Sequence, residues 1–288
     1  MIEKPWYQKR QFDPGFPFDM WQTSMTRGFS LHWHELVEIV YVLSGEMHIS
    51  LEGQDCIVHA GDIAVINSGL VHGYSSTGRE SGNSIFIIQF GLELFDQAHI
   101  DLRNRVFQQL ILGKLSFSHN SEGDEIHRRL EESIFSMNRE YCERQEGYHL
   151  AIKARLYDLA LILLRSVPAR QVSESELIRR NLRNQVLNKI FSYIHGNFGH
   201  EISLDEAAAA VHLSKFYFSR FFRSQTGQTF HVYLNRVRIS HAEALLADTG
   251  LPITEVAYQS GFGSIKTFNR QFRTVTGTSP SRYRAGER

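Results

Sequence analysis

The chain has only two cysteines, Cys56 and Cys142, in 288 residues. That is too few for a disulfide framework or a four-cysteine zinc ribbon, and two reduced thiols is the reading that remains. It also lacks an apolar run long enough to span a bilayer, and Met1 to Arg10 hold no apolar core of the kind export requires. Both absences point to a cytoplasmic protein with no membrane partner. Net charge is missing too, because 31 Lys/Arg offset 31 Asp/Glu. The balance is unevenly spread. Residues 181–288 carry 13 Lys/Arg and 7 Asp/Glu, and the first 180 carry 18 and 24. A surplus of six positive charges against six negative places a nucleic-acid partner on the C-terminal side. At 42% hydrophobic and 22% charged residues, the chain is ordinary globular material with length for two cores.

What is present is a pattern written twice. Leu204, Ala207, Ala208, Leu213, Ser214, Phe218, Phe222, Gly227, Phe230 and Tyr233 recur as Ile253, Val256, Ala257, Phe262, Ser264, Phe268, Phe272, Gly277, Pro280 and Tyr283. The offset is 49 residues before the turn and 50 after it, so one residue has been added inside a turn, where repeats tolerate it. Each copy reads as a short helix, a turn and a second helix. Ser203 with Glu206 forms a capping box, Ser214 and Ser264 cap the second helices, and Phe218, Phe222, Phe268 and Phe272 face inward. Small Ala208 and Ala257 permit the close crossing of a helix-turn-helix. Tyr233 to Ala247 is an unbroken helical run, a rigid connector between the copies.

The residues facing out carry the chemistry. Lys215, Phe216, Tyr217, Ser219, Arg220 and Arg223 lie on the first second-helix, and Ile265, Lys266, Thr267, Asn269, Arg270 and Arg273 on the other. Arg and Lys donate to guanine O6/N7 or to phosphate, which suits major-groove reading. From about Asn184 to Arg284 the chain resembles the DNA-binding domain of the AraC family of bacterial transcription regulators. The second copy is the more specific: Ile253-Thr-Glu-Val-Ala-Tyr-Gln-Ser-Gly-Phe262, Phe268-Asn-Arg-Gln-Phe272 and Gly277-Thr-Ser-Pro280-Ser-Arg-Tyr283-Arg284. The resemblance implies double-stranded DNA as partner, with Phe216, Ser219, Arg220, Ile265, Lys266, Thr267 and Arg270 at base-facing positions. Ile265 cannot hydrogen-bond, so apolar contact or none is expected there.

From about Phe18 to Phe90 the sequence reads as short strands between Gly-rich turns, as in an antiparallel sandwich or barrel. Ser44-Gly45-Glu46, Glu52-Gly53-Gln54 and Ala60-Gly61-Asp62 supply turns, and a loop runs from Ser75 to Asn83. This region resembles the cupin barrels that serve as effector domains in the same family. His32-Trp-His34, Glu38 and Gly45 match the first cupin motif, without its leading Gly at the usual distance. Gly61, Gly69 and His72 match the second, with Asn67 where the pattern has Pro.

In metal-dependent cupins the positions of His32, His34, Glu38 and His72 bind a divalent transition metal, and three imidazoles with one carboxylate suit Fe, Mn, Ni or Zn. Three readings of the quartet stand open. It lines an effector pocket without metal, it holds a metal that supports ligand or barrel, or it is the centre of a cupin enzyme fused to a DNA-binding domain. The resemblance favours the first, with no cofactor required and no enzymatic activity. Tyr41 joins the quartet as a candidate effector residue, and Trp33, Glu46, His48 and Tyr74 are further polar or aromatic candidates for the pocket. Such a mixture suits a sugar or sugar derivative. The expected mechanism is an activator that binds this effector and recruits RNA polymerase; an effector-independent DNA-binding protein is the remaining alternative.

Two apolar stripes at helical spacing follow: Ile126, Leu130, Ile134, Met137, Tyr141, and Ile152, Leu156, Leu159/Ala160, Leu163. They pack on the barrel or, as the resemblance implies, pair two subunits of a homodimer. Pro168 stops the second helix, and Ala169 to Arg180 reads as a linker. The architecture expected is therefore multidomain: an N-terminal antiparallel cupin-like β-barrel (1–115), a helical, possible dimerisation region (116–168), a linker (169–182), and a C-terminal all-α domain with two helix-turn-helix motifs (183–288).

Overall fold

A computed structural model describes residues 12–13, 15–24, 29–51, 53–76, 83–96, 102–108, 111–113 and 121–286. The residues read for an export segment, Glu52 of one expected turn, and 77–82 of the Ser75 to Asn83 loop lie outside the described residues.

Two antiparallel sheets face each other. The five-stranded sheet runs in the order β1 (Phe18–Ser24), β8 (Ser84–Phe90), β3 (Val37–Ser44), β6 (Ile63–Ile66), β10 (Ile111–Leu112). The four-stranded sheet runs β2 (Phe29–His32), β7 (His72–Ser76), β4 (Glu46–Leu51), β5 (Gln54–His59). Strand alternation sends Val40, Val42, Ile85 and Ile87 of one sheet against Met47, Ile49, Leu51 and Val58 of the other, and these fill the interior. Their neighbours Ile39, Tyr41, Phe86 and Ile88 point the opposite way into a second core. Helices α1 (Ser121–Glu143) and α2 (Tyr148–Ser166) cover that outer face. Leu130, Ile134, Met137, Ile152, Leu156, Leu159 and Leu163 are buried there, so both helical stripes are occupied within the subunit.

The interval 169–182 differs from the expected linker. Strand β11 (Ala169–Gln171) pairs with β9 (Arg105–Phe107), and helix α3 (Glu174–Asn197) starts three residues later. The Ser173 side chain accepts from the Glu176 N–H, and Glu174 and Glu176 stand at the positive end of the helix dipole. The polar composition belongs to a capped, solvent-facing first turn. Residue 183, the expected domain boundary, falls inside α3.

The twofold pattern folds as α4 (Leu204–Ala210) and α5 (Lys215–Thr226), then the connector α6 (Phe230–Asp248), then α7 (Ile253–Gln259), α8 (Ile265–Thr276) and the short α9 (Pro280–Arg284). The capping box at Ser203 and Glu206 is present, and Gly227 and Gly277 end α5 and α8 at φ 71° and 77°, the left-handed region that glycine adopts without strain. Phe191 of α3 stacks on Tyr233 at 5.0 Å and meets Phe222 of α5 edge-on, which ties α3 to the first helix-turn-helix. Against that unit lies the barrel. A Cβ built on Gly53, in the β4–β5 turn, would fall 2.4 Å from the Gly227 Cα, an approach that only glycine allows.

His195, in the last turn of α3, sits 3.2 Å from the Tyr233 hydroxyl, and burial pushes its pKa down to about 4. The folded state thus favours the neutral ring, and the unfolded chain takes up the proton first as pH falls below about 6.5. The contribution to stability is complete above that pH and is lost progressively toward pH 4. Thermal unfolding of the wild type should therefore lose about 2 kcal/mol between pH 7 and pH 5 relative to His195→Gln. Parallel profiles for the two proteins would contradict this.

Candidate nucleic-acid interface and buried histidine cluster

Helices α5 and α8 are built alike. In each a serine cap, Ser214 or Ser264, accepts the N–H three residues on, and two phenylalanines are fully buried beneath the helix. The opposite face is open. Phe216 is 87% exposed, and Ser219, Arg220, Lys266, Thr267 and Arg270 are exposed as well. Arg223 and Arg273 extend the same faces one turn further. Ile265 is the exception, half-buried against the core of the second unit, because it opens α8 directly after the cap. Its role there is packing, in keeping with its lack of hydrogen-bonding capacity.

The second constellation is in the barrel. His32 at the end of β2 is registered against His72 on β7, with ring centroids 4.2 Å apart. His34 follows two residues later, and Glu38 enters β3 on its inward face. One ligating atom from each of His32, His34, Glu38 and His72 lies within 4.8 Å of the others, and all four residues are 0–2% exposed. Across the β3–β8 ladder Glu38 is registered with Gln89, whose amide donates to the Glu38 carboxylate, as does the Tyr74 hydroxyl. Burial alone would raise the Glu38 carboxyl, but the imidazoles of His34, His72 and His32 outweigh it and hold the carboxyl well below its usual range. Burial and the neighbouring His32 push His72 well below the ordinary histidine value, so its ring is neutral.

The tautomers follow from the backbone. Nδ1 of His72 is 2.8 Å from the Leu70 carbonyl and Nδ1 of His34 is 3.1 Å from that of Leu36, so each ring donates there. The neutral His72 ring then turns its Nε2 lone pair toward the carboxylate, 3.7 Å away, while His34 Nε2 lies within hydrogen-bonding distance of the same carboxylate at 3.0 Å. His72 Nε2 has no hydrogen-bond partner among the described residues. A buried imidazole lone pair aimed at a buried carboxylate, with two further imidazoles beside it, suits a cation between them, and rings oriented by backbone carbonyls are how metal-ligating histidines are held. The quartet fits a divalent transition metal.

Tyr41 does not join this site. Three residues beyond Glu38 on β3, it points to the outer face, where its hydroxyl donates to Glu131 of α1. Glu46 and His48 alternate with the buried Met47 and Ile49, so they face away from the barrel interior. Trp33, between the two inward histidines, faces out onto α3. Tyr74 does belong to the site. Gln89 was not anticipated, and the strand register that places it opposite Glu38 is the signal that finds it.

Fold and surface define a two-part protein, a cupin-type pair of antiparallel sheets joined to a paired helix-turn-helix. Comparison with known proteins agrees. The helix-turn-helix domain family matches residues 207–286 and the cupin domain family residues 25–88. The HTH-type transcriptional regulator SACOL0084 of Staphylococcus aureus (strain COL) is 27% identical over 246 residues, covering 85% of this chain. The chain spans 31% of that relative's length. The probable transcriptional regulator LumQ of Photobacterium leiognathi is 25% identical over 267 residues, 90% of this chain and 94% of LumQ. A solved regulator of Chromobacterium violaceum, described as AraC-type DNA-binding domain-containing, is 25% identical with a TM-score of 0.34, covering 36% of this chain and 92% of that one. The chain carries a cupin domain and, after it, a helix-turn-helix domain of AraC type, and the relatives it matches are named HTH-type transcriptional regulators. Among the described residues no helix is long and apolar enough to cross a membrane.

Proposed function

We propose that this protein is a sequence-specific transcription regulator that reads double-stranded DNA with α5 and α8 and is controlled by occupancy of its barrel. The observation that carries the reading is the matched pair of serine-capped helices. Each is fixed by buried phenylalanines and presents an exposed arginine, Arg220 or Arg270, on its free face. Major-groove recognition needs such rigidly held donors. Activation through RNA polymerase and action as a homodimer rest on the family resemblance alone, and both helical stripes are buried within the subunit.

For the barrel, the geometry favours an ion over a sugar. The four converging donors are closed to solvent, and the rest of the interior is filled by apolar side chains. A sugar reaches the quartet only by opening the barrel, whereas a divalent metal needs only that four donor atoms already within 4.8 Å of one another draw together. When bound, the metal supplies a charged centre that fixes the three imidazoles and Glu38 against one another. Thermal unfolding of the chelator-treated chain against divalent metals and a panel of sugars tests this. Zn²⁺ or Mn²⁺ should raise the midpoint by several degrees, with the shift absent in His34→Ala. A shift produced by a sugar and by no metal would restore the sugar as effector.

A further inference from the structure

The strand that carries the histidines has two faces, and both are buried. His32 and His34 point into the barrel, and Leu31 and Trp33, alternating with them, point outward into the core of the first helix-turn-helix unit, beside Leu187, Ile190 and Phe191 of α3. The Trp33 indole N–H donates to the Asn188 side-chain carbonyl at 2.9 Å. One turn earlier on the same helix face, the Asn184 amide donates to the Gly69 carbonyl, also at 2.9 Å. Gly69 in turn donates its N–H to the carbonyl of His34 at 2.8 Å, and the next residue, Leu70, accepts from the His72 ring. Two asparagines four residues apart thus hold the backbone that positions three of the four metal-binding side chains.

We propose that Trp33, Asn184 and Asn188 are positioning residues that transmit occupancy of the His/Glu quartet to the DNA-binding domain; this rests on the reading of the quartet as a metal site. Seating an ion draws His32, His34 and His72 toward a common point. The displaced strand and the Asn67 to Val71 turn then load α3 through the two asparagines. From α3 the contact continues by Phe191 to Phe222 beneath the recognition helix α5, and to Tyr233 at the start of the connector. Polar partners in an otherwise apolar contact fix one relative placement of helix and barrel, which a purely apolar seam leaves free to slide. The empty and occupied quartets then favour different placements of α3 on the barrel, and the metal biases that equilibrium by its differential affinity.

The test uses the full chain with Co²⁺ as probe. Its visible absorption reports coordination at the quartet, and hydrogen exchange reports on α3 and α5. In the wild type, Co²⁺ should slow exchange severalfold across residues 184–195 and in α5. The double variant Trp33→Phe/Asn188→Leu replaces both partners of one hydrogen bond by apolar groups, a change close to neutral for folding. It should keep the Co²⁺ spectrum and stoichiometry and lose most of the exchange response. Asn184→Leu, which breaks the second link, should weaken the response on its own. Co²⁺ bound with equal exchange responses in wild type and double variant overturns the coupling while leaving the metal site standing. No Co²⁺ spectrum in the wild type overturns the metal reading and the coupling with it.

Discussion

Alanine at both Arg220 and Arg270 is expected to remove specific DNA binding while leaving the fold intact. Both side chains are exposed on helices whose stability comes from the opposite face, where Phe218, Phe222, Phe268 and Phe272 are fully buried. Thermal unfolding of the variant should therefore stay within about 0.5 kcal/mol of wild type. An arginine that contacts a base is worth about 1 to 3 kcal/mol. The two helices belong to separate helix-turn-helix units with separate cores, so the losses should add. Together they weaken specific binding by about 30-fold to about 10⁴-fold. Binding to random DNA should fall less, with a salt slope reduced by about one per lost phosphate contact. Equal losses on selected and random sequences would demote both arginines to phosphate contacts.

The second large effect concerns the barrel. Glu38→Gln is nearly isosteric, so the packing around a residue that is 1% exposed is preserved, but the one anion among three imidazoles is gone. Tyr74 retains an acceptor there in the amide oxygen. A divalent ion loses a ligand and its only charge compensation in the quartet. Changing groups that merely orient metal ligands costs 10- to 100-fold in affinity, so removing this carboxylate should cost about 100-fold or more. Calorimetry with Zn²⁺ or Mn²⁺ measures it directly. Wild-type affinity in Glu38→Gln would mean that the ion binds elsewhere.

The C-terminal half was legible because its signals are local. Serine caps, αL glycines and the phenylalanine pairs lie within a few residues of one another and occur twice, and each stands where the repeat puts it. The quartet was legible through the resemblance to the cupin motifs, and the register of β2 with β7 brings two of its histidines together. Tyr41 and Trp33 were misread for one physical reason. Period-two alternation tells which residues share a face, but β3 is buried on both faces, so polarity does not say which face is inside. Trp33 and the outer residues of β3 are covered by helices distant in sequence. The segment 169–182 failed differently: a helix whose first turn is polar and capped has the same composition as a linker. The asparagines of α3 carry no signal until the barrel is laid against them.

The measurement that bears most directly on the central claim is selection of bound sequences from random duplex DNA by the full chain, followed by footprinting of the winners. Two recognition helices joined by the rigid α6 predict a bipartite consensus, its halves about one helical turn, or 10–10.5 base pairs, apart on one face of the duplex. Protection of both halves should weaken together when metal is removed. A pool that stays random, bound with a steep salt dependence and no preferred half-sites, would contradict the account and leave a protein that holds DNA without reading it.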